Sequence, residues 1–397
     1  MPTLLSRLVQ LVLAASVCLA IPAPPACVRR PRVQCQHLII NLEASAANRI
    51  IILNLTALNA AELIPKELTT VVNAASINIT GQYQIAANYC APLIDVPERR
   101  QTLQILVHGV TYTKTYWAGP ATQDIGPGST NQSWIHYAAK QGYPVLAVDR
   151  LCNGGSSHPS GIAECQLPLE AAVLEKIIQA ARDGALPGVA TKFDKIIYVG
   201  HSYGSMIGNY IVQSNPAAVD QLHLTGFSER LVSGTPGIIL LPGWQPASLL
   251  DPARFFGLDL GYIIATDEKG SESMYFTDDI DPAVLDYDWK TRGSTTIGEL
   301  MTSVLGQVSA PEFKGDVFVV NGDEDALFCA YDHAAAAAAI FGSCEASQAS
   351  KEVVLSFPAA RRFEYFNLPN TGHSLGLHRG ASRAIAASHQ FMAAAGF

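Results

Sequence analysis

The sequence predicts an α/β protein, a mostly parallel central sheet with helices on both faces. From residue 102 onward, short apolar runs alternate with longer stretches of helical periodicity, the order in which helices cross between parallel strands. Several runs are continuously apolar, as in Ile196-Ile197-Tyr198-Val199, which suits strands covered on both faces. The runs also end in polar or glycine residues: Val107-His108-Gly109, Val148-Asp149, Val199-Gly200-His201 and Val320-Asn321-Gly322-Asp323. Ligands of such sheets bind beyond the carboxyl ends of the strands, so a site is expected where these residues collect.

Taken in order, residues 1–20 read as a secretory signal peptide. Arg7 precedes the apolar run Leu8 to Ala20, which is too short to span a bilayer and ends in small residues before Pro22, Pro24 and Pro25. Cleavage is expected near Ala20 or Ala23. Residues 21–76 form a lead-in and a segment of irregular pattern, with a dibasic Arg29-Arg30 followed by Pro31. In it, Leu38-Ile39-Ile40-Asn41-Leu42 and Ile50-Ile51-Ile52-Leu53 suit strands, and Ala60 to Val72 a helix. The main domain is placed at 77–397. It opens with an alternating strand or hairpin, Ile77 to Ala87, and strand Thr102 to Val107 follows. Next come a helix at Trp134–Lys140, strand Pro144–Val148, a helix from Pro168 to Ala181, strand Ile196–Val199 with its helix, and strand Gln221–Thr225. Strand Asp316–Val320 leads to an Ala-rich helix, His333 to Ile340; a last strand, Arg362–Phe366, precedes a closing helix that is expected to include His378. Residues 228–311 are too many for a plain crossover. They are rich in Gly and Pro, then in aromatics (Phe255, Phe256, Tyr262, Tyr275, Phe276, Tyr287, Trp289), and read as a lid over the site. Within them Asp278-Asp279-Ile280-Asp281 lacks the spacing of a calcium loop and reads as a solvated turn.

Composition narrows the classes. The 397 residues carry a net charge of -8, with 49% hydrophobic and 15% charged residues. Without a basic surplus, nucleic acid is excluded as the expected partner. No stretch after the signal is long enough to span a membrane, so a secreted, extracellular protein is expected with no stable anchor. Oligomeric state leaves no trace in the sequence. Three sequons, at Asn54, Asn78 and Asn131, are candidate glycan sites, with Asn54 in an apolar run. Of the eight cysteines Cys18 leaves with the signal. Cys152 with Cys165 and Cys329 with Cys344 are the expected local disulfides, and Cys90 pairs with Cys35 or Cys27. No cysteine or histidine spacing suggests zinc.

The stretch Gly200-His201-Ser202-Tyr203-Gly204 lies between an apolar strand and a helix. Gly200 and Gly204 permit a turn so tight that Ser202 stands at its apex, its hydroxyl clear of the backbone. This resembles the nucleophile elbow of the α/β-hydrolases. A serine hydroxyl needs a base, and the base needs an orienting acid. The order on that fold, serine then acid then histidine, points to Asp325 in Gly322-Asp323-Glu324-Asp325 and to His373 in Thr371-Gly372-His373. Asp323, Glu324 and Glu229 are the alternative acids. Backbone amides of Tyr203, directly after the serine, and Val110, after His108-Gly109, are the candidate oxyanion donors. His108 is expected to shape that loop, His201 to point sideways, and His158 to lie near the mouth.

Across about Ile77 to Phe397 the chain is similar to α/β-hydrolases of the His-Gly type with a lid, and most similar to secreted fungal esterase- or lipase-like serine hydrolases. The stretches that carry the resemblance are Thr102 to Gly109, Leu146 to Arg150 with Asn153 to Pro159, Tyr198 to Gly204, and the two acid and histidine loops. The resemblance implies the α/β-hydrolase fold and no cofactor or metal. The resulting expectation is hydrolysis of a carboxylic ester, a small-molecule and apolar one given the apolar lid (an acyl chain, an aromatic ester or a fungal metabolite), by Ser202, Asp325 and His373 through an acyl-enzyme. A serine peptidase, a lactonase, a hydrolase of a fungal secondary metabolite and a non-catalytic binding module of the same fold stay open. Epoxide hydrolases and dehalogenases are disfavoured, since their elbow carries Asp.

Overall fold

The long antiparallel ribbon at one edge shows how the sheet begins. In the computed structural model, which describes residues 33–52, 71, 73–119, 132–230, 241–329 and 342–397, β1 (Cys35–Arg49) pairs with β2 (Ser76–Cys90) over its full length. The register runs from Cys35 opposite Cys90 to Arg49 opposite Ser76, and a disulfide joins Cys35 to Cys90. Alternation sets the faces: Leu38, Ile40, Tyr83 and Ile85 are buried, whereas Ile39 and Ile77 face solvent. The alternating run from Ile77 is thus part of one long strand, not a hairpin. The sheet extends upstream of residue 77, because β1 belongs to it, while Ile50 to Ile52 lie outside any strand. Asn78 is exposed on this ribbon. The signal-like segment, Cys27, Asn54, Asn131, the helix expected at 60–72 (Val71 apart) and the Ala-rich helix at 333–340 lie outside the described residues.

The remaining strands are β3 (Thr102–Val107), β4 (Val145–Val148), β5 (Lys195–His201), β6 (Gln221–Thr225), β10 (Asp316–Gly322) and β11 (Arg362–Leu368). With the ribbon they form an eight-stranded sheet in the order β1-β2-β4-β3-β5-β6-β10-β11. From β4 to β11 every pairing is parallel, and β2 alone runs against the other strands, antiparallel to both β1 and β4. The central strands β3, β5 and β6 are buried nearly throughout; β5 accordingly reads as an unbroken apolar run, while β3 and β6 also bury Gln104, Gln221 and His223. Helices fall into two packed groups. Helix α1 (Trp134–Lys140) packs on α7 (Ala381–Ala394), and α2 (Leu167–Asp183) packs on α3 (Tyr203–Ser214). His378 is not in the closing helix: it lies in the turn before Ala381, where its ring accepts backbone amides.

The segment expected as a lid has its own framework. Strands β7 (Trp244–Pro246), β8 (Tyr262–Ala265) and β9 (Thr295–Thr296) make a small antiparallel sheet. Around it stand α4 (Glu268–Tyr275), α5 (Pro282–Thr291) and α6 (Ile297–Thr302). Asp281 caps α5 through the amide of Ala283, which gives the acidic turn a structural task. Disulfides Cys152–Cys165 and Cys329–Cys344 follow the ends of β4 and β10. No helix among the described residues is long and apolar enough to cross a membrane.

Candidate active site

Ser202 sits between β5 and α3 with φ 55° and ψ -119°, a conformation that L-residues rarely adopt. Such strain costs roughly 1–3 kcal/mol and persists only where the surroundings hold it. Here they do: the Ser202 amide donates to the Thr225 carbonyl at 2.8 Å, and Ser202 is the residue that caps α3. The two elbow glycines are required by close approach. A Cβ at Gly204 would lie 2.2 Å from the Val107 carbonyl oxygen, and one at Gly200 would lie 2.5 Å from the Ser205 nitrogen.

The late loops bring the predicted acid and base together. Asp325 Oδ2 accepts a hydrogen bond from His373 Nδ1 at 2.7 Å, and both side chains are buried. Asp325 Oδ1 accepts from the amides of Leu327 at 2.8 Å and Phe328 at 3.1 Å, so the carboxylate is aimed by its own loop. With Nδ1 committed as a donor, Nε2 of His373 is left as the acceptor. It is buried and has no hydrogen-bond partner among the described residues, Ser202 included. Catalytic contacts of this kind often close only around substrate. The imidazole is packed between rings, Phe328 at 5.5 Å and Tyr275 at 5.9 Å, both near-parallel, with His201 at 5.0 Å.

The alternative acids have other partners. Asp323 receives Ser343 Oγ at 3.0 Å and the Glu345 amide at 2.8 Å, and so ties down the turn beside Cys344. Glu229 accepts from Ser356 Oγ at 2.7 Å, and burial pushes its carboxyl above the usual range. His378 Nε2 accepts from the amides of Gly372 and Thr277, each at 3.2 Å, bracing the His373 loop against the inserted segment. Burial holds its ring neutral, down to about 4. His201 does point sideways, stacked on Tyr116 at 4.5 Å. His158 lines a surface hollow with Tyr112 and Phe256, about 350 Å³, that does not include Ser202.

The oxyanion candidates flank the serine. Tyr203 is the first residue of α3, where amides have no partner within the helix. Val110 lines a cavity of about 50 Å³ with Ser202 and Tyr203. A Cβ at Gly109 would lie 2.9 Å from Ser202 Cβ, so the turn reaches the serine only because residue 109 is glycine. Met206, Trp244, Met274, Tyr275, Leu300, Ser303, Leu327 and Phe328 complete the cavity. Trp244, Met274, Tyr275 and Leu300 come from the segment 228–311 and line the cavity beside Ser202.

Sequence reasoning missed the charges beneath this turn. Arg150, two residues after β4, is buried; its Nη1 donates to Glu170 Oε2 at 2.6 Å and to Glu299 Oε1 at 2.5 Å. Asp149 beside it binds the Lys114 amide at 2.8 Å, the Gly155 amide at 2.8 Å and the Lys114 ammonium. This gives the Asn153-Gly154-Gly155 motif a structural reading: it wraps a carboxylate.

A sequence model of the alpha/beta hydrolase family matches residues 104–387. No curated protein matches the chain. Among solved structures it is similar to a thermophilic esterase from Thermogutta terrifontis, with 14% identity, TM-score 0.49, 80% of this chain covered and 96% of that one. It is also similar to a bromoperoxidase from Bacillus anthracis, with 13% identity, TM-score 0.50, and 79% and 95% covered. At these identities the likeness concerns the fold alone.

Proposed function

The chain belongs to the alpha/beta hydrolase family, and on that premise we propose that it is an exported serine hydrolase that cleaves a carboxylic ester through an acyl-enzyme. The observation that carries this reading is His373: Nδ1 is bound to Asp325, Nε2 is buried with no hydrogen-bond partner among the described residues, and a strained Ser202 stands nearby. His373 Nε2 takes the Ser202 hydroxyl proton as Oγ attacks the ester carbonyl. The amides of Tyr203 and Val110 receive the oxyanion. Asp325 stabilises the imidazolium, which then gives its proton to the departing alcohol. Water, deprotonated by His373, attacks the acyl carbonyl, and Ser202 leaves with the proton. Export is supported by the signal-like run at the N-terminus and by three disulfides.

The cavity sharpens the substrate class. Among the described residues no charged side chain lines it, which favours a neutral ester over a charged peptide terminus. Its volume, about 50 Å³, suits an acyl group of about two to four carbons, since roughly 150 Å³ is needed for a benzene ring. The test is labelling with a fluorophosphonate, located by peptide mass spectrometry, together with 4-nitrophenyl esters of increasing chain length. Label on Ser202, and acetate or butyrate favoured over octanoate by at least about tenfold in kcat/KM, are expected. Ser202→Ala should abolish turnover and labelling with the fold intact. Hydrolysis retained in that variant overturns the mechanism, and octanoate turned over as fast as acetate overturns the small acyl group.

A further inference from the structure

We propose that Arg150 is a positioning residue that aims the Val110 amide at the oxyanion by holding the carbonyl of the same peptide unit, and that the inserted segment controls it through Glu299. The inference rests on the ester-hydrolase reading above. Arg150 Nη2 donates to the Gly109 carbonyl at 3.3 Å. The Arg150 backbone amide donates to His108 Nε2 at 3.1 Å, so the proton of this imidazole is on Nδ1, which donates to the same carbonyl at 2.8 Å. Gly109 O thus accepts from a cation and an imidazole. The Gly109 carbonyl and the Val110 N–H belong to one planar unit, and none of the described peptide bonds is cis. Fixing the oxygen on the Arg150 side fixes the N–H on the opposite side. Val110 lines the Ser202 cavity there, and Gly109 stands against Ser202 Cβ. Bonds accepted at a carbonyl also polarise the amide and strengthen its N–H as a donor.

The second donor is reached by the same side chain. The Arg150 guanidinium lies 4.7 Å from the centre of the Tyr203 ring. One buried cation therefore touches the peptide unit that carries the Val110 amide, through its carbonyl, and the ring of Tyr203. Three buried charges are a costly way to add stability, because apolar packing of equal volume does as well or better. Glu299 is held from four directions: Arg150 and Asn153 Nδ2 bind Oε1, while Thr295 Oγ1 and the Thr296 amide bind Oε2. Since Glu299 belongs to α6, the guanidinium's position depends on the inserted segment being seated.

The experiment compares wild type with Arg150→Met, Arg150→Lys and Glu299→Gln. It measures kcat and KM for 4-nitrophenyl acetate, thermal midpoint, and inhibition by a trifluoromethyl ketone, which adds Ser202 and forms the oxyanion. The expected result is a fall in kcat of about 10- to 100-fold, below the 10²–10³ seen on deleting a donor outright. KM should stay within about twofold, and ketone affinity should fall by the same factor as kcat. If Arg150→Met does not fold, Arg150→Lys carries the test: an ammonium can pair with the glutamates but cannot also fork to Gly109, so it should restore the thermal midpoint without kcat. An Arg150 variant that folds and keeps wild-type kcat and ketone affinity overturns the inference alone. So does a loss that follows only the folded fraction. A wild type that neither hydrolyses ester nor takes label at Ser202 overturns the ester-hydrolase reading, and this inference with it.

Discussion

On the His373 side of Ser202 a single carboxylate meets an imidazole among aromatic rings, whereas on the Gly109 side a guanidinium and two carboxylates are buried under a backbone turn. The difference follows from what each side must aim. His373 has a side chain, so one hydrogen bond to Asp325 and two flanking rings fix its tautomer and direction. An amide has no side chain of its own. It can be steered only through its carbonyl, from behind, and that requires a donor placed beneath the turn. The loops of the first side lie at neighbouring strand ends, β10 and β11. The second side draws on residues 20 and 149 positions apart.

The largest effect expected is on the His373 side. Asp325→Asn should lower kcat by about 10³- to 10⁴-fold, the scale of losing the orienting acid of a serine triad. Asp323→Asn, two residues away, should leave kcat within about threefold and cost about 1 kcal/mol of stability through weakened bonds to Ser343 and Glu345. Steady-state kinetics and urea unfolding of the pair decide it. If Asp323→Asn proves the more damaging to kcat, the acid has been misplaced and this half of the contrast collapses.

A smaller effect separates the two carboxylates of the other side. Among the described residues each oxygen of Glu299 accepts two bonds, whereas Glu170 takes its one short bond at Oε2, from Arg150. Burial pushes the Glu170 carboxyl well above the usual range against the pull of Arg150. Glu299→Gln should therefore cost about 3 kcal/mol, as for breaking a buried ion pair, while Glu170→Gln should cost under about 1 kcal/mol. Denaturant unfolding is the measurement. Equal losses would mean that the inserted segment has no special hold on Arg150.

The same contrast explains what the sequence disclosed. Strands β5 and β10 were legible because strands buried on both faces are written as apolar runs, and β3 and β6 because their apolar residues recur between turn and helix signals in the same α/β order. Ser202 and Asp325 were legible because each follows such a run, and His373 because the fixed order places the base after the last strand. The Arg150 cluster was not, because its glutamates sit inside helices α2 and α6, where nothing local distinguishes them from solvated charges. The pairing partner of β2 was obscure for a different reason. As an edge strand β1 buries only one face, and its last residues, Glu43-Ala44-Ser45-Ala46-Ala47-Asn48-Arg49, carry too little apolar alternation to read as a strand. His378 was assigned to the closing helix by proximity. It is kept out of that helix by accepting the amides of Gly372 and Thr277.

Tyr112 joins the two sides. It follows the Gly109 turn, and its hydroxyl lies 2.7 Å from Ser374 Oγ, next to His373. Asp288, half-buried on α5 of the inserted segment, faces this hydroxyl and Arg292. Burial raises its carboxyl to about 7, against the Tyr112 hydrogen bond and the Arg292 charge. Since the folded value lies above the unfolded 3.8, the folded protein keeps a proton that the unfolded chain releases between about pH 4 and 7. Stability should then fall as pH rises through that window and level off above it. Asp288→Asn removes the slope, so relative to wild type it should gain about 1–2 kcal/mol between pH 4 and 8, allowing for partial exposure. Thermal unfolding of both proteins at pH 4, 6 and 8 is the measurement. Parallel curves would mean that Asp288 is already ionised against Tyr112 and Arg292 in acid. The seam between the two sides would then be an ionic tie, as firm as the Arg150 cluster. Convergence at low pH and divergence above neutrality would mark it as the yielding part of the structure around Ser202.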